Sequence, residues 1–265
     1  MAAGIDGKAA KEPRCRMNQE ETRQMVPECR MNQEETKQMV PECRMNQEET
    51  KQMVPECRMN QEEIERMVPE ILKREWKMFT NVSNEGGRAA CQDDRKTFDI
   101  MRKSQFAVWN GEALLSYLND LKQAELAGRN LMTEKYGYMM EDTAPEEFKR
   151  IRELLPAVTA EKAQLAAELT EIQVKWMERF REQYPGFKKR GRPLRKTDAV
   201  SGLDTSLETY ARGELLTYSL ETLNLLKRHF RQLDRQEMNL GTLVMEATVR
   251  QYGYQSVEDA QDHLK

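Results

Sequence analysis

The chain has 265 residues, 38% apolar and 33% charged, and a formal net charge of −3. That length can bury at least one sizeable core, while no apolar run approaches the ~20 residues a membrane-spanning helix needs. The first residues hold no apolar targeting segment and the five cysteines are odd in number, so the expectation is a soluble, cytoplasmic protein from a reducing compartment, with no membrane role.

Residues 1–68 contain no Leu, Phe, Trp or Tyr, yet hold nine of the 17 Met and four of the five Cys. The cause is a 14-residue tandem repeat, CRMNQEETKQMVPE, restarting at Cys15, Cys29, Cys43 and Cys57. A segment without large apolar side chains cannot offset the ~1–2 kcal/mol of backbone entropy lost per ordered residue. It reads as a tether of short helices or disorder. Successive cysteines lie ~21 Å apart along a helix, with no CxxC pair and no nearby His, which argues against disulfides and zinc. Proline stands where each repeat would start a helix (Pro27, Pro41, Pro55, Pro69), a favourable first position.

From Pro69 onward amphipathic helices follow one another. Ile71, Leu72, Trp76 and Phe79 share a face of a helix that begins at Pro69 and stops between Asn81 and Gly87. A second helix spans Gln92–Trp109, with Phe98, Met101 and Val108 facing inward. A third runs from Glu112 through Leu114, Leu115, Leu118 and Leu121 to Ala127, where Gly128 ends it. Asn130–Asp142 is helical, Pro145 starts a short helix that ends before Pro156, and Thr159 caps a long helix to Tyr184. After a basic loop, helices recur at about 206–218, 220–236, 239–252 and 256–264. No alternating strand pattern occurs. The expected class is all-α, a multi-helix bundle over residues 69–265.

A weak internal symmetry is visible. Placing residues 97–133 on 206–242 aligns Glu112 with Glu221, Leu114 with Leu223, Gln123 with Gln232 and Asn130-Leu131 with Asn239-Leu240. An old duplication would give pseudo-twofold helix pairs with a site between them; chance similarity of helices is the alternative.

The densest polar segment is Asn84–Gln105. Gly86 and Gly87 allow a tight turn before a helix start whose free N–H groups suit an anion. Asn84, Glu85, Arg88, Gln92, Arg102 and Gln105 are the candidate ligand-binding residues, since Arg and amide side chains match phosphate or carboxylate groups. The bland reading is a capped connecting turn. Asp93, Glu141 and Glu214 are the candidate catalytic carboxylates of an alternative, enzymatic reading on a small anionic substrate, with or without a divalent metal. No ExxH pair marks a metal bundle, no metal ligand set or cofactor is assigned, and Cys91 lacks a sequence-adjacent His to activate it. Lys188–Lys196 contains RGRP, similar to the minor-groove core of an AT-hook, but it occurs once in a neutral domain. A solvated loop is the preferred reading, and nucleic acid is not the expected partner.

The strings EILKREWKMF, NEGGRAACQDDRKTFDIMRKSQF, NLMTEKYGYMMEDTAP, ETYARGELLTYSLETL and VRQYGY together resemble a bacterial family known as domain of unknown function 4125, over about residues 69–260. The resemblance implies a bacterial, cytoplasmic origin and transfers no activity. The resulting expectation is an all-α binding or interaction domain. Its polar pocket, for a small anionic or nucleotide-like ligand or a protein partner, would form from Asn84–Gln105 and the helix Glu208–Leu215.

Overall fold

A computed structural model describes residues 61–83, 87–188, 191–199 and 205–264. The repeats before residue 61, together with Asn84 and Glu85, lie outside the described residues. Those described form ten α-helices and no strand: α1 (Gln61–Thr80), α2 (Arg95–Phe106), α3 (Gly111–Leu126), α4 (Leu131–Thr143), α5 (Pro145–Ile151), α6 (Ala160–Gln183), α7 (Leu207–Leu215), α8 (Leu220–Arg235), α9 (Leu240–Gln251) and α10 (Val257–Asp262). No helix among them is long and apolar enough to cross a membrane.

Most helix starts follow the capping chemistry of the sequence. Asn110, Asn130, Thr159, Ser206, Ser219 and Asn239 each accept a backbone N–H of the helix they precede, which satisfies donors that have no intrahelical partner. Several expectations are corrected. Pro69 lies inside α1 rather than at its start. An interior proline costs about 3 kcal/mol, and the turns upstream of it are held by tertiary burial: Met67 is buried, and Ile64 and Val68 pack on the core. Ahead of α2, Ala90–Asp93 form a separate 3-10 turn and Asp94 caps the helix. Its inward face carries Ile100, Arg102, Ser104 and Phe106 while Met101 points out, because polar partners occupy part of the interior. Leu115 of α3 is likewise exposed.

The helices form two sets of four. In the first, α1 packs on α2, α3 and α4; in the second, α6 packs on α7, α8 and α9. The sets meet where α3 crosses α8, α2 crosses α9, and α4 crosses α7. Helices α3 and α8 both have 16 residues and start at positions 111 and 220, while α4 and α9 start at 131 and 240, so each pair is offset by 109. The backbone detail repeats with the same offset. Gly128 and Glu237 both adopt a left-handed conformation (φ 67° and 55°). Asn130 Nδ2 donates to the Met78 carbonyl in α1, and Asn239 Nδ2 to the Trp176 carbonyl in α6, both at 2.8 Å. Asp120 of α3 accepts from the Ser219 N–H ahead of α8, and His229 of α8 contacts the Val108 carbonyl ahead of α3.

Candidate functional site: a buried ion-pair network and an open basic cleft

The interior between the two sets is charged. Arg102 in α2 donates through Nε to Glu75 Oε2 at 2.8 Å and through Nη2 to the other Glu75 oxygen, making a two-pronged pair with α1. Its Nη1 reaches Glu214 Oε1 of α7 at 2.9 Å and Gln105 Oε1 at 2.7 Å. Lys135 Nζ in α4 donates to Glu214 Oε2 at 2.6 Å. Two buried hydroxyls complete the cluster, Tyr117 on Glu75 Oε1 and Tyr218 on Glu214 Oε1, each at 2.6 Å. Two carboxylates thus face two cations, and Glu75 is completely buried.

The electrostatics follow from that geometry. Burial raises the Glu214 carboxyl, but Arg102 and Lys135 more than offset it and hold it below the ordinary range. Burial works against the Arg102 charge, yet Glu214 and Glu75 drive its pKa further up. Burial, reinforced by Glu75 for Tyr117 and by Glu214 for Tyr218, pushes both phenols well above 10.0. All four charged groups are matched, as buried charges must be. Gly213 makes the α4–α7 contact close enough: a Cβ there would stand 2.6 Å from Met139 Cγ and 3.0 Å from the Lys135 carbonyl oxygen.

Among the sequence candidates, the structure brings together Arg102, Gln105 and Glu214. Arg88, Gln92 and Asp93 form a different arrangement. Arg88 bonds Asp93 Oδ1, the Thr80 carbonyl and the Gln92 carbonyl, and the Gln92 amide donates to the carbonyls of Phe79 and Val82. These side chains cap the end of α1 and fix the following turn. Glu141 pairs with Arg212 at 2.6 Å on the surface. Asp93, Glu141 and Glu214 therefore sit at three separate places, each beside its own cation. Among the described residues no group of three or more His, Cys, Asp or Glu is placed to hold a metal ion.

Glu75, Lys135, Tyr117 and Tyr218 were not among the sequence candidates for the site. Their signal was present: Glu75 lies on the apolar stripe of α1 between Leu72 and Phe79, and Lys135 is flanked by Met132 and Met139. Four of the five strings that carried the family resemblance supply the network: Glu75, the Arg102–Gln105 pair, Lys135, and Glu214 with Tyr218.

The basic loop after α6 is docked through Arg192, Leu194 and Arg195, while Lys188, Gly191 and Lys196 are exposed. Arg195 forks onto Glu171 and Glu178, and the Arg192 guanidinium lies 4.6 Å from the Tyr210 ring centre. Lys135 Nζ is 3.5 Å from the same ring, so Tyr210 links the loop to the buried cluster. Two of the open clefts among the described residues bear basic groups. One, of about 420 Å³, lies between α6 and this loop, lined in part by Arg181, Lys188 and Arg192. The other, of about 520 Å³, lies between α2 and α9 and is lined by Arg95, Lys96, Asp99, Ile100, Lys103 and Gln251. Asp99 is bound by Arg95 at 2.8 Å, and Gln251 Nε2 is held by the Ile100 carbonyl and Ser104 Oγ.

No curated protein and no solved structure matches the chain. The residues of the network fall within the span of one family model, the protein of unknown function DUF4125, which matches residues 65–262. The chain belongs to that family.

Proposed function

We propose that the domain is a binding module for an anionic ligand seated in the cleft between α2 and α9, on a scaffold of two related helical units. The observation that carries this reading is the lining: Arg95, Lys96 and Lys103 face a cleft whose single carboxylate, Asp99, is already neutralised by Arg95. Its volume of about 520 Å³ falls within the range of small-ligand sites, about 300–1,000 Å³. The cleft is on the Asn84–Gln105 segment but on the outer face of α2. The inner face of the same helix is fixed by Arg102 and Gln105, so the buried network preorganises the helix that presents the basic groups. The repeated caps, left-handed turns and packing partners at an offset of 109 support two related units. The cleft lies between α2 and α9, one of the contacts between the two sets.

Thermal unfolding of the full chain with inorganic pyrophosphate and with a nucleoside triphosphate tests the reading. A ligand at a hundred times its Kd stabilises by about 2.7 kcal/mol, and the shift should vanish in the double variant Lys96→Glu, Lys103→Glu. An absent shift, or one the double variant retains, contradicts it.

A further inference from the structure

The two helical units carry equivalent grooves with opposite charge and different cover. At the offset of 109, Asp99, Ile100 and Lys103 of α2 correspond to Glu208, Thr209 and Arg212 of α7, while Gln251 of α9 corresponds to Asp142 of α4. The correspondence holds in the contacts: Gln251 Nε2 reaches the Ile100 carbonyl, and Thr209 Oγ1 reaches Asp142 Oδ2 at 2.9 Å.

The α4/α7 groove is occupied by the chain itself. Lys196 donates its backbone N–H to Glu208 Oε2 at 2.9 Å and places Nζ 3.7 Å from Asp142 Oδ1. The carbonyls of Pro193 and Leu194 meanwhile accept the first N–H groups of α7. Lys196 thus lies on a groove bearing Glu208 and Asp142, beside which Arg212 is already paired with Glu141. The connection between α6 and α7 that supplies this segment is longer than the one between α1 and α2.

The α2/α9 groove has the reverse charge and remains open. Lys96 and Lys103 stand at its edge, the position of Asp142 is taken by neutral Gln251, and the position of Glu141 by Arg250. Building on the anion-binding reading above, we infer that the occupant of the α2/α9 groove is a short acidic peptide segment of a partner protein. Its carboxylates would meet Lys96 and Lys103 at the edge of the groove. Charge complementarity fixes the sign of the partner, as it does for Lys196 between Glu208 and Asp142 in the equivalent groove.

The experiment is fluorescence anisotropy of the full chain with a labelled six-residue peptide containing three glutamates, an all-glutamine control and inorganic pyrophosphate as competitor. The expected result is binding of the acidic peptide and not of the all-glutamine control, weakened by salt and by competing pyrophosphate. Lys96→Glu with Lys103→Glu should lower affinity at least about tenfold, since opposed like charges at an interface rim are strongly unfavourable. Pyrophosphate that binds through Lys96 and Lys103 while the peptide does not overturns the peptide inference and leaves the anion reading standing. Binding of neither overturns both. Peptide affinity unchanged by the double variant places the contact elsewhere and also overturns the inference. A last variant changes Glu20, Glu21, Glu34, Glu35, Glu48 and Glu49 to Gln; tighter peptide binding there would make the chain's own repeats the occupant and contradict a separate partner.

Discussion

Lys135 Nζ lies 2.6 Å from Glu214 Oε2 and ties α4 to α7 inside the core. Both side chains are buried, 2% and 7% exposed, so this ion pair differs in kind from the surface pair Arg212–Glu141 between the same two helices.

Removing one partner of a buried charge set leaves the rest uncompensated. Glu214→Gln should destabilise by about 3–5 kcal/mol, whereas Arg212→Gln should cost less than about 1 kcal/mol. Urea unfolding of the two variants measures the contrast; similar small losses would show that the network is not closed around Glu214.

Gly213 sits in the interior of α7, where exchange to Ala on an exposed helix would stabilise by up to about 1 kcal/mol. Here the added Cβ meets Met139 Cγ and the Lys135 carbonyl, and overpacking costs about 1–3 kcal/mol. Gly213→Ala should lower Tm, and the Lys135–Glu214 contact with it; a raised Tm would mean that the two helices stand further apart.

The pH dependence follows from four buried groups. Glu214 is depressed below its ordinary value of 4.5 by Arg102 and Lys135 despite burial, so its contribution is full above that pH and is lost as pH falls toward the lower folded value. Burial depresses His229 below 6.5 although the Val108 carbonyl opposes this, which adds a loss as pH drops below that value. The phenols of Tyr117 and Tyr218, raised by burial, keep their contribution up to about pH 10 and lose it above. Stability should therefore be level between pH 7 and 9. His229→Gln should flatten the slope just below pH 6.5, and Glu214→Gln the slope below 4.5, both read from urea midpoints.

Arg195 anchors the basic loop on Glu171 and Glu178. Arg195→Ala should leave the helical far-ultraviolet signal unchanged while speeding tryptic cleavage within 188–199 at least severalfold, because a released loop is the preferred cleavage site. An unchanged cleavage rate would show that Arg192 on Tyr210 holds the loop alone.

The helices were legible because their signals are local: Asn110, Thr159 and Ser219 announce caps, and the 3.6-residue periodicity of Leu114, Leu118 and Leu121 announces a buried face. The site was only half legible. Arg102, Gln105 and Glu214 stood out as polar residues on helices, but Glu75 and Lys135 looked like ordinary solvated charges. Lys135 is buried where α4 crosses α7 and Glu75 where α1 meets α2 and α3, crossings that sequence periodicity does not encode. Arg88 and Gln92 carried the right chemistry for an anion and are used on backbone carbonyls instead, since the end of α1 leaves acceptors that a neighbouring turn can satisfy. Pro69 misled for a related reason: its local cost is overridden by the packing of Met67 and Val68.

Amide chemical-shift mapping of the full chain during titration with inorganic pyrophosphate tests the central claim most directly. The account predicts saturable shifts confined to Arg95–Lys103 of α2 and to Gln251 of α9, lost in the Lys96→Glu, Lys103→Glu variant. Shifts centred on residues 188–199, or none at millimolar ligand, would contradict it.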